Sequence, residues 1–442
     1  MTETTDTTST AGTGSGTRLR RAVTAPLLFL FILGDVLGAG VYALVGVMAD
    51  EAGGMIWLPL LAALGMALLT AASYAELVTK YPQAGGSAVY AQRAFGRPWL
   101  SFLVGFSMLA AGVTSAAGLS LAFAGDYLGV FLDVPAIPTA IVFLALVAAL
   151  NARGIRESLR ANVGMTVVEL GGLLTVVVLG VIVIARGDGD LARVGELPEG
   201  TGVAAATLGG ALIAFYSFVG FETSANLAEE VRDVRRVYPK ALFGALVTAG
   251  VVYLLVGVVA PAVVAPADLA ASSGPLLEVV EAAGGVPREV FSVVALVAVA
   301  NGALLTMIMA SRLAYGMADE GLLPRAFGRV LPGRRTPIVA ILVTTAVAMV
   351  LTTTGSLEDL ASTVVLLLLL VFLSTNVAVL VLRKDRVEHD HFRAWTPLPV
   401  LAIGTCLGLL TQQELRHWVL AVILLAVGVV LHLVARRSSS HA

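Results

Sequence analysis

The chain has 442 residues, of which 58% are hydrophobic and 13% charged, with a formal net charge of −2. Soluble domains carry roughly a quarter charged residues, so this chain lacks the polar surface needed to face water on all sides. The near-neutral total says little by itself, but the basic residues gather between the apolar runs and form no stripe for nucleic acid.

The first seventeen residues, MTETTDTTSTAGTGSGT, are rich in Thr, Ser and Gly. They bury nothing, and segment 1–22 is expected to be a disordered terminus. No short apolar segment followed by a cleavage site is present, so no signal peptide is expected. Apolar runs follow at 27–47, 56–73, 100–124, 134–150, 163–185, 203–228, 241–264, 290–310, 337–351, 361–382, 397–410 and 418–434. Runs of about 17–25 apolar residues read as membrane-spanning helices. The pattern predicts an all-α integral membrane protein with about twelve transmembrane helices; the runs at 337 and 397 are short for the task. Period-two alternation is absent, which disfavours a membrane β-barrel.

Charge alternates with the spans. If Arg18, Arg20 and Arg21 are cytoplasmic, only Arg186, Arg193, Arg288 and Arg416 of the 28 basic residues fall outside. The positive-inside rule then places both termini in the cytoplasm of a multi-pass cell-membrane protein.

The first run contains GDVLGAGVYALVG, residues 34–46, and the sixth contains FYSFVGFET, residues 215–223. Each is an apolar segment broken by glycine and carrying a carboxylate. They open two groups of five spans, and an odd number per group gives the groups opposite orientation. Paired interrupted helices in corresponding places of two inverted halves point to a substrate site. Glycine tolerates unwound backbone, and unwound backbone survives at membrane depth only where protein or a water-filled cavity satisfies it. Close helix packing is the alternative use of such glycines.

Three carboxylates lie inside the runs. Asp35 is nine residues past Pro26, about 13 Å deep; Glu169 is seven past Asn162 and Glu222 seven before Glu229, each about 10 Å deep. A carboxylate near a helix centre costs roughly 2.5–3.5 kcal/mol on insertion scales, so such groups face an interior and serve a function. Loss of water favours the neutral carboxyl. The three are therefore candidates for proton or ion coupling, or for counter-charge to a cationic substrate. Backbone capping of a broken helix is the structural alternative for Asp35 and Glu222. Near the basic ends, Glu76, Glu229 and Glu230 are expected to pair with arginines such as Arg232 and Arg235. Thr352, Thr353 and Thr354 read as a loop entry.

Several stretches together resemble the amino acid–polyamine–organocation permeases: GDVLGAGVY; SYAELVTKYPQAGGSAVYAQRAFG at 73–96; FYSFVGFETSANLAEEVRDVRRVYPKAL at 215–242; and SRLAYGMADEGLLPRAFGRV at 311–330, followed by Thr336 and Pro337. The resemblance implies a leucine-transporter-like inverted repeat of five plus five helices with two extra C-terminal helices. It would divide the chain into repeats at 23–186 and 200–384, helices eleven and twelve at 394–436, and a tail at 437–442. It implies alternating access and amino acid or amine substrates.

Carried over by position, Gly38, Ala39, Gly40 and Val41 would offer amides to a substrate carboxylate. Phe215, Tyr216, Ser217 and Phe218 would line a side-chain pocket beside Gly220, with Tyr216 at the aromatic gate of the arginine/agmatine exchangers. Those exchangers also carry Glu at the place of Glu222. Asn301 could line the pocket or bond between helices. Glu169 is a departure, standing where many sodium-independent members carry a lysine. Protons are favoured over Na⁺ there because no ring of Ser, Thr or Asn is evident beside it in the sequence.

The resulting expectation is a permease for amino acids, proton-coupled or exchanging, with a basic amino acid satisfying both the glycine break and the carboxylates. A polyamine or organic-amine carrier and a non-transporting sensor of the same fold are the alternatives. Enzyme chemistry finds no motif, and no metal or cofactor is expected. Cys406 is the sole cysteine, which rules out an internal disulfide. The expected partners are a small-molecule amino acid or amine, protons and the lipid bilayer, with a monomer or homodimer as the assembly.

Overall fold

The computed structural model describes residues 23–83, 85–153, 158–331 and 336–439. The segment expected to be disordered, the end of the tail, and Arg18, Arg20, Arg21, Arg156, Arg334 and Arg335 of the charge count lie outside these residues. Among the described residues the elements are helical, with one isolated bridge between Val23 and Val231. Among the described residues, ten helical spans are long and apolar enough to cross a membrane, and two shorter apolar helices occupy the runs at 337 and 397.

The first span is two helices, α1 (Ala25–Leu37) and α2 (Ala39–Ala52). Then come α3 (Trp57–Lys80), the short α4 (Gly86–Phe95), α5 (Pro98–Phe123), α6 (Ala136–Arg153) and α7 (Ser158–Arg186). The sixth span starts as α8 (Val203–Tyr216) and continues as a 3₁₀ turn, Phe221–Leu227. The rest are α9 (Val234–Val263), α10 (Arg288–Asp319), α11 (Ile338–Leu351), α12 (Leu357–Leu382), α13 (Pro397–Thr411) and α14 (Leu415–Ser439). Local sequence sets several starts. Pro26 and Pro98 occupy first turns, where a missing N–H costs nothing. Ser356 and Asp359 cap α12 reciprocally.

Burial sorts the spans. The broken first span and α5 are mostly enclosed, whereas α14 and α6 are mostly exposed. Between its basic ends, α14 exposes apolar side chains, among them Val422, Ile423 and Val430, as suits a lipid-facing helix. Helix α5 packs along α10 and α12, α9 along α3 and α1, and α8 against α2 and α3. Small residues allow the close approaches: a Cβ on Gly257 of α9 would lie 2.9 Å from Leu60 of α3.

One connection is built more firmly than its composition suggests. Glu76, buried near the end of α3, receives Arg383 Nε at 3.1 Å and Nη2 at 2.9 Å. Ala394 N–H donates to the same carboxylate at 2.9 Å. Lys80 donates to the carbonyls of Leu382 and Asp385, each at 2.6 Å, and Phe392 N–H to Thr79 at 3.0 Å. The strap from α12 to α13 is thus tied down onto α3. Glu76 was expected to pair with Arg232 or Arg235; the fold instead brings it Arg383, more than 300 residues away in the chain. A two-pronged guanidinium and a chain amide fill the lone pairs that burial would otherwise leave empty.

Removing one partner of a buried ion pair costs roughly 3–5 kcal/mol. Glu76→Gln should therefore lower the apparent melting temperature in detergent by several degrees, while Glu320→Gln at an exposed helix end should not. Equal melting curves for Glu76→Gln and the parent chain would refute this role for the strap.

Candidate functional site

The two broken spans meet at the middle of the bundle. Gly38 N–H still bonds Gly34 O at 3.3 Å, but α2 starts afresh at Ala39. The carbonyl of Val36, which a continuous helix would give to Gly40, accepts the Tyr253 hydroxyl at 2.6 Å. In the sixth span Gly220 sits at φ +124°, a conformation that side chains resist. Its N–H is capped by Glu222 Oε2 at 2.9 Å.

The breaks are pressed together. A Cβ on Gly40 would lie 2.8 Å from Ser217 Cα, and one on Gly220 would lie 2.7 Å from Asp35 O. Thr223 Oγ1 bonds Asp35 Oδ2 and also reaches Gly220 O at 2.8 Å. Asp35 therefore ties the two breaks together through a side chain of the other span, and Glu222 takes the capping role on its own span.

A cavity of about 90 Å³ opens against this junction, room for several waters. Asp35, Gly38, Gly40, Tyr216, Ser217, Gly220 and Glu222 line it, as do Thr223 and Asn226. The facing wall is Met108, Ala111, Gly112, Ser115 and Leu119 of α5, Gly302, Thr306, Met309, Ala310 and Leu313 of α10, and Val364 and Leu368 of α12. Among the lining residues there are two carboxylates and no Lys, Arg or His. Ser217 Oγ is buried without a hydrogen-bond partner among the described residues. Tyr216 is held by Ser115 at 2.8 Å. The cavity shares Asn226, Met309 and Leu313 with a wider cleft of about 810 Å³ that reaches Arg93, Glu230, Arg312 and Glu320. The site therefore adjoins, across these three residues, the cleft at the end of the bundle where α4 lies.

Other expected site residues stand elsewhere. Val41 is buried in α2 and does not line the cavity; Ala39 is the first residue of that helix. Phe215 packs edge-on to Phe372 at 5.9 Å and Phe218 against Tyr253 at 5.2 Å, both behind the wall. Asn301 bridges helices, its Nδ2 donating to Glu169 Oε1 at 2.9 Å and to Asn162 Oδ1 at 3.1 Å. Glu169 is fully buried and outside the cavity lining. Its Oε2, together with Asn162 Nδ2 and Asn301 Oδ1, has no hydrogen-bond partner among the described residues. Gly34 makes room for this polar pocket: a Cβ there would overlap Thr166 Oγ1. Amide and hydroxyl groups thus do surround Glu169. Asn162 and Thr166 precede it by two turns and one turn on α7, and Asn301 arrives from α10.

The α5 and α10 wall was not foreseen. Both helices lie in unbroken apolar runs, where small residues signal packing as readily as a cavity. The available signal was the spacing of Gly112 with Ser115 and of Gly302 with Thr306, which puts each pair on one helical face.

Residues 27–426 match the family model described as amino acid permease. The chain is 27% identical to a methylthioribose transporter of Bacillus subtilis (strain 168), over 96% of this chain and 95% of that one. It is 25% identical to the branched-chain amino acid permease BcaP of the same organism, over 97% and 96%. It is 30% identical to the low-affinity putrescine importer PlaP of Escherichia coli (strain K12), over 82% of each.

Gly220→Ala should cost about 1–3 kcal/mol in backbone strain alone, and its methyl group would meet Asp35. The expected result is a lower melting temperature and a broken junction, read as lost protection of residues 34–40 in hydrogen exchange. Gly404→Ala, where a Cβ meets nothing within 4 Å, should change neither. An undisturbed Gly220→Ala protein would contradict the packed junction.

Proposed function

The chain belongs to the amino acid permease family, and on that premise we propose that it is a secondary active transporter carrying amino acids across the cytoplasmic membrane by alternating access. The observation that carries the reading is the junction of two broken spans beside a cavity with two carboxylates and no cation. A half-helix N-terminus carries positive partial charge and receives a carboxylate. Here that end is α2, with Gly40 close to the unpartnered Ser217 hydroxyl. Asp35 and Glu222 supply counter-charge for the substrate ammonium. The side chain lies along the α5 and α10 wall, where Met108 and Met309 are pliable apolar surfaces.

With the basic ends cytoplasmic, the cleft at α4 would lie on the cytoplasmic side of the cavity, which supports entry and release from that side. Proton coupling is assigned to Glu169, enclosed between α1, α7 and α10. A carboxyl with one oxygen bonded to an amide and the other unpartnered suits proton binding at the latter. Moving a proton there changes the charge packed behind the α1 break, which is the element that must move. An amine substrate without a carboxylate is the second reading, favoured by the two cavity carboxylates and by the name of the putrescine importer relative.

Purified protein in liposomes, given labelled leucine, methionine, lysine, arginine and putrescine in turn, separates these readings. Uptake of an amino acid driven by an inward proton gradient is expected, and uptake of putrescine alone would replace the first reading with the second. Glu169→Gln should abolish stimulation by the proton gradient while leaving ligand-induced thermal stabilisation in place. Unchanged uptake across a pH series would remove Glu169 from coupling, and stimulation by a Na⁺ gradient alone would reassign the ion.

A further inference from the structure

A second cleft, of about 800 Å³, shares no lining residue with the central cavity and lies between the start of α9 and the strap that joins α12 to α13. Its floor is aromatic, with Phe243 of α9 and Phe392 of the strap 5.9 Å apart between ring centres. Its rim carries Arg235, Arg236 and Lys240, all exposed. Among the described residues none of these three cations has an ion-pair partner within 4 Å. The cleft also contains Asp233, Asp390 and His391, and nearby in sequence the strap adds exposed Lys384, Arg386 and Arg393 against exposed Asp385 and Glu388. Fixed positive charge is thus in excess.

The position in the membrane matters more than the sum. The apolar run of α9 begins at Ala241, directly after Lys240. The cations therefore stand at the level of lipid head groups, and the residues after them in hydrocarbon. From Lys240 an exposed stripe continues through Val247, Val251 and Leu255. Steps of seven, four and four residues keep these positions on one helical face. The flanking Ala245, Leu246 and Ala249 are buried against neighbouring helices. A basic, aromatic-floored cleft opening onto a continuous apolar stripe has the charge and shape of one amphiphile. The strap cannot drift from this position, because Glu76, Thr79 and Lys80 hold it.

We propose that this cleft binds an anionic phospholipid, with the phosphate among Arg235, Arg236 and Lys240 and an acyl chain along Val247, Val251 and Leu255. Basic pockets at the ends of membrane helices suit such head groups. The lipid would join α9 to the strap, and through the strap to α3 and α12. The inference rests on the membrane-spanning fold and is independent of what the central cavity carries.

The test uses the full chain purified in detergent, with phosphatidylglycerol or phosphatidylcholine titrated in and bound lipid counted by native mass spectrometry. The parent chain should retain phosphatidylglycerol preferentially. Arg235→Gln, Arg236→Gln and Lys240→Gln should each weaken retention roughly fivefold, as about 1 kcal/mol per interfacial cation implies. Arg325→Gln with Arg329→Gln, elsewhere on the surface, should leave it unchanged. Equal retention of the two lipids, or no loss in the cleft variants, overturns the proposal. So does an equal loss in the Arg325 and Arg329 variant, which would reduce the effect to general surface charge. Should the Arg235 or Arg236 variant fail to fold, Lys240→Gln and the double variant Val247→Ser with Val251→Ser carry the test, since both must weaken retention. Displacement of the lipid by millimolar glycerol phosphate would show a site for the free anion and sink the lipid assignment.

Discussion

Peptide groups freed inside a membrane must be satisfied without bulk water, and this requirement governs the centre of the molecule. Two spans give up helical hydrogen bonds at the same place. The structure answers with side chains: Tyr253 serves Val36 O, Glu222 serves Gly220 N–H, and Thr223 joins Asp35 to the opposite break. Beside the cavity, Ser217 Oγ is left without a hydrogen-bond partner among the described residues. On the proposed function, a small polar molecule would complete the bonding there.

The polar pocket around Glu169 is a second layer behind the first. Gly34 lets α7 lie directly against α1, so Asn162, Thr166 and Glu169 sit one helix away from the break. Asn301 links this layer to α10. A change of charge on Glu169 would act on α1 from behind, across van der Waals contact, with no need to touch the cargo. On the proposed function, coupling at Glu169 would thus be separate from recognition in the cavity, and packed cores transmit such shifts because they have little free volume.

The periphery has its own order. α14 and α6 turn apolar side chains outward, while the strap between α12 and α13 is pinned to α3 by a buried carboxylate–guanidinium pair and by carbonyls bonded to Lys80. Such a connection resists movement, and under the proposed alternating access it would serve as a frame against which the broken spans shift.

The sequence alone carried the membrane class, the number and order of spans, both breaks and the three buried carboxylates. Each is written as a local violation of a simple rule: a charge, or a run of glycines, in hydrocarbon. It also carried the family, through stretches such as SYAELVTKYPQAGG that combine helix ends with turns. Partners came only from the fold. Nothing local distinguishes Arg383 from Arg232 as the mate of Glu76, Met309 from its apolar neighbours as a cavity wall, or Asn301 as the residue that meets Glu169. Which helix faces are brought together depends on how all the helices pack at once, and helical periodicity reports a face without naming what lies opposite it.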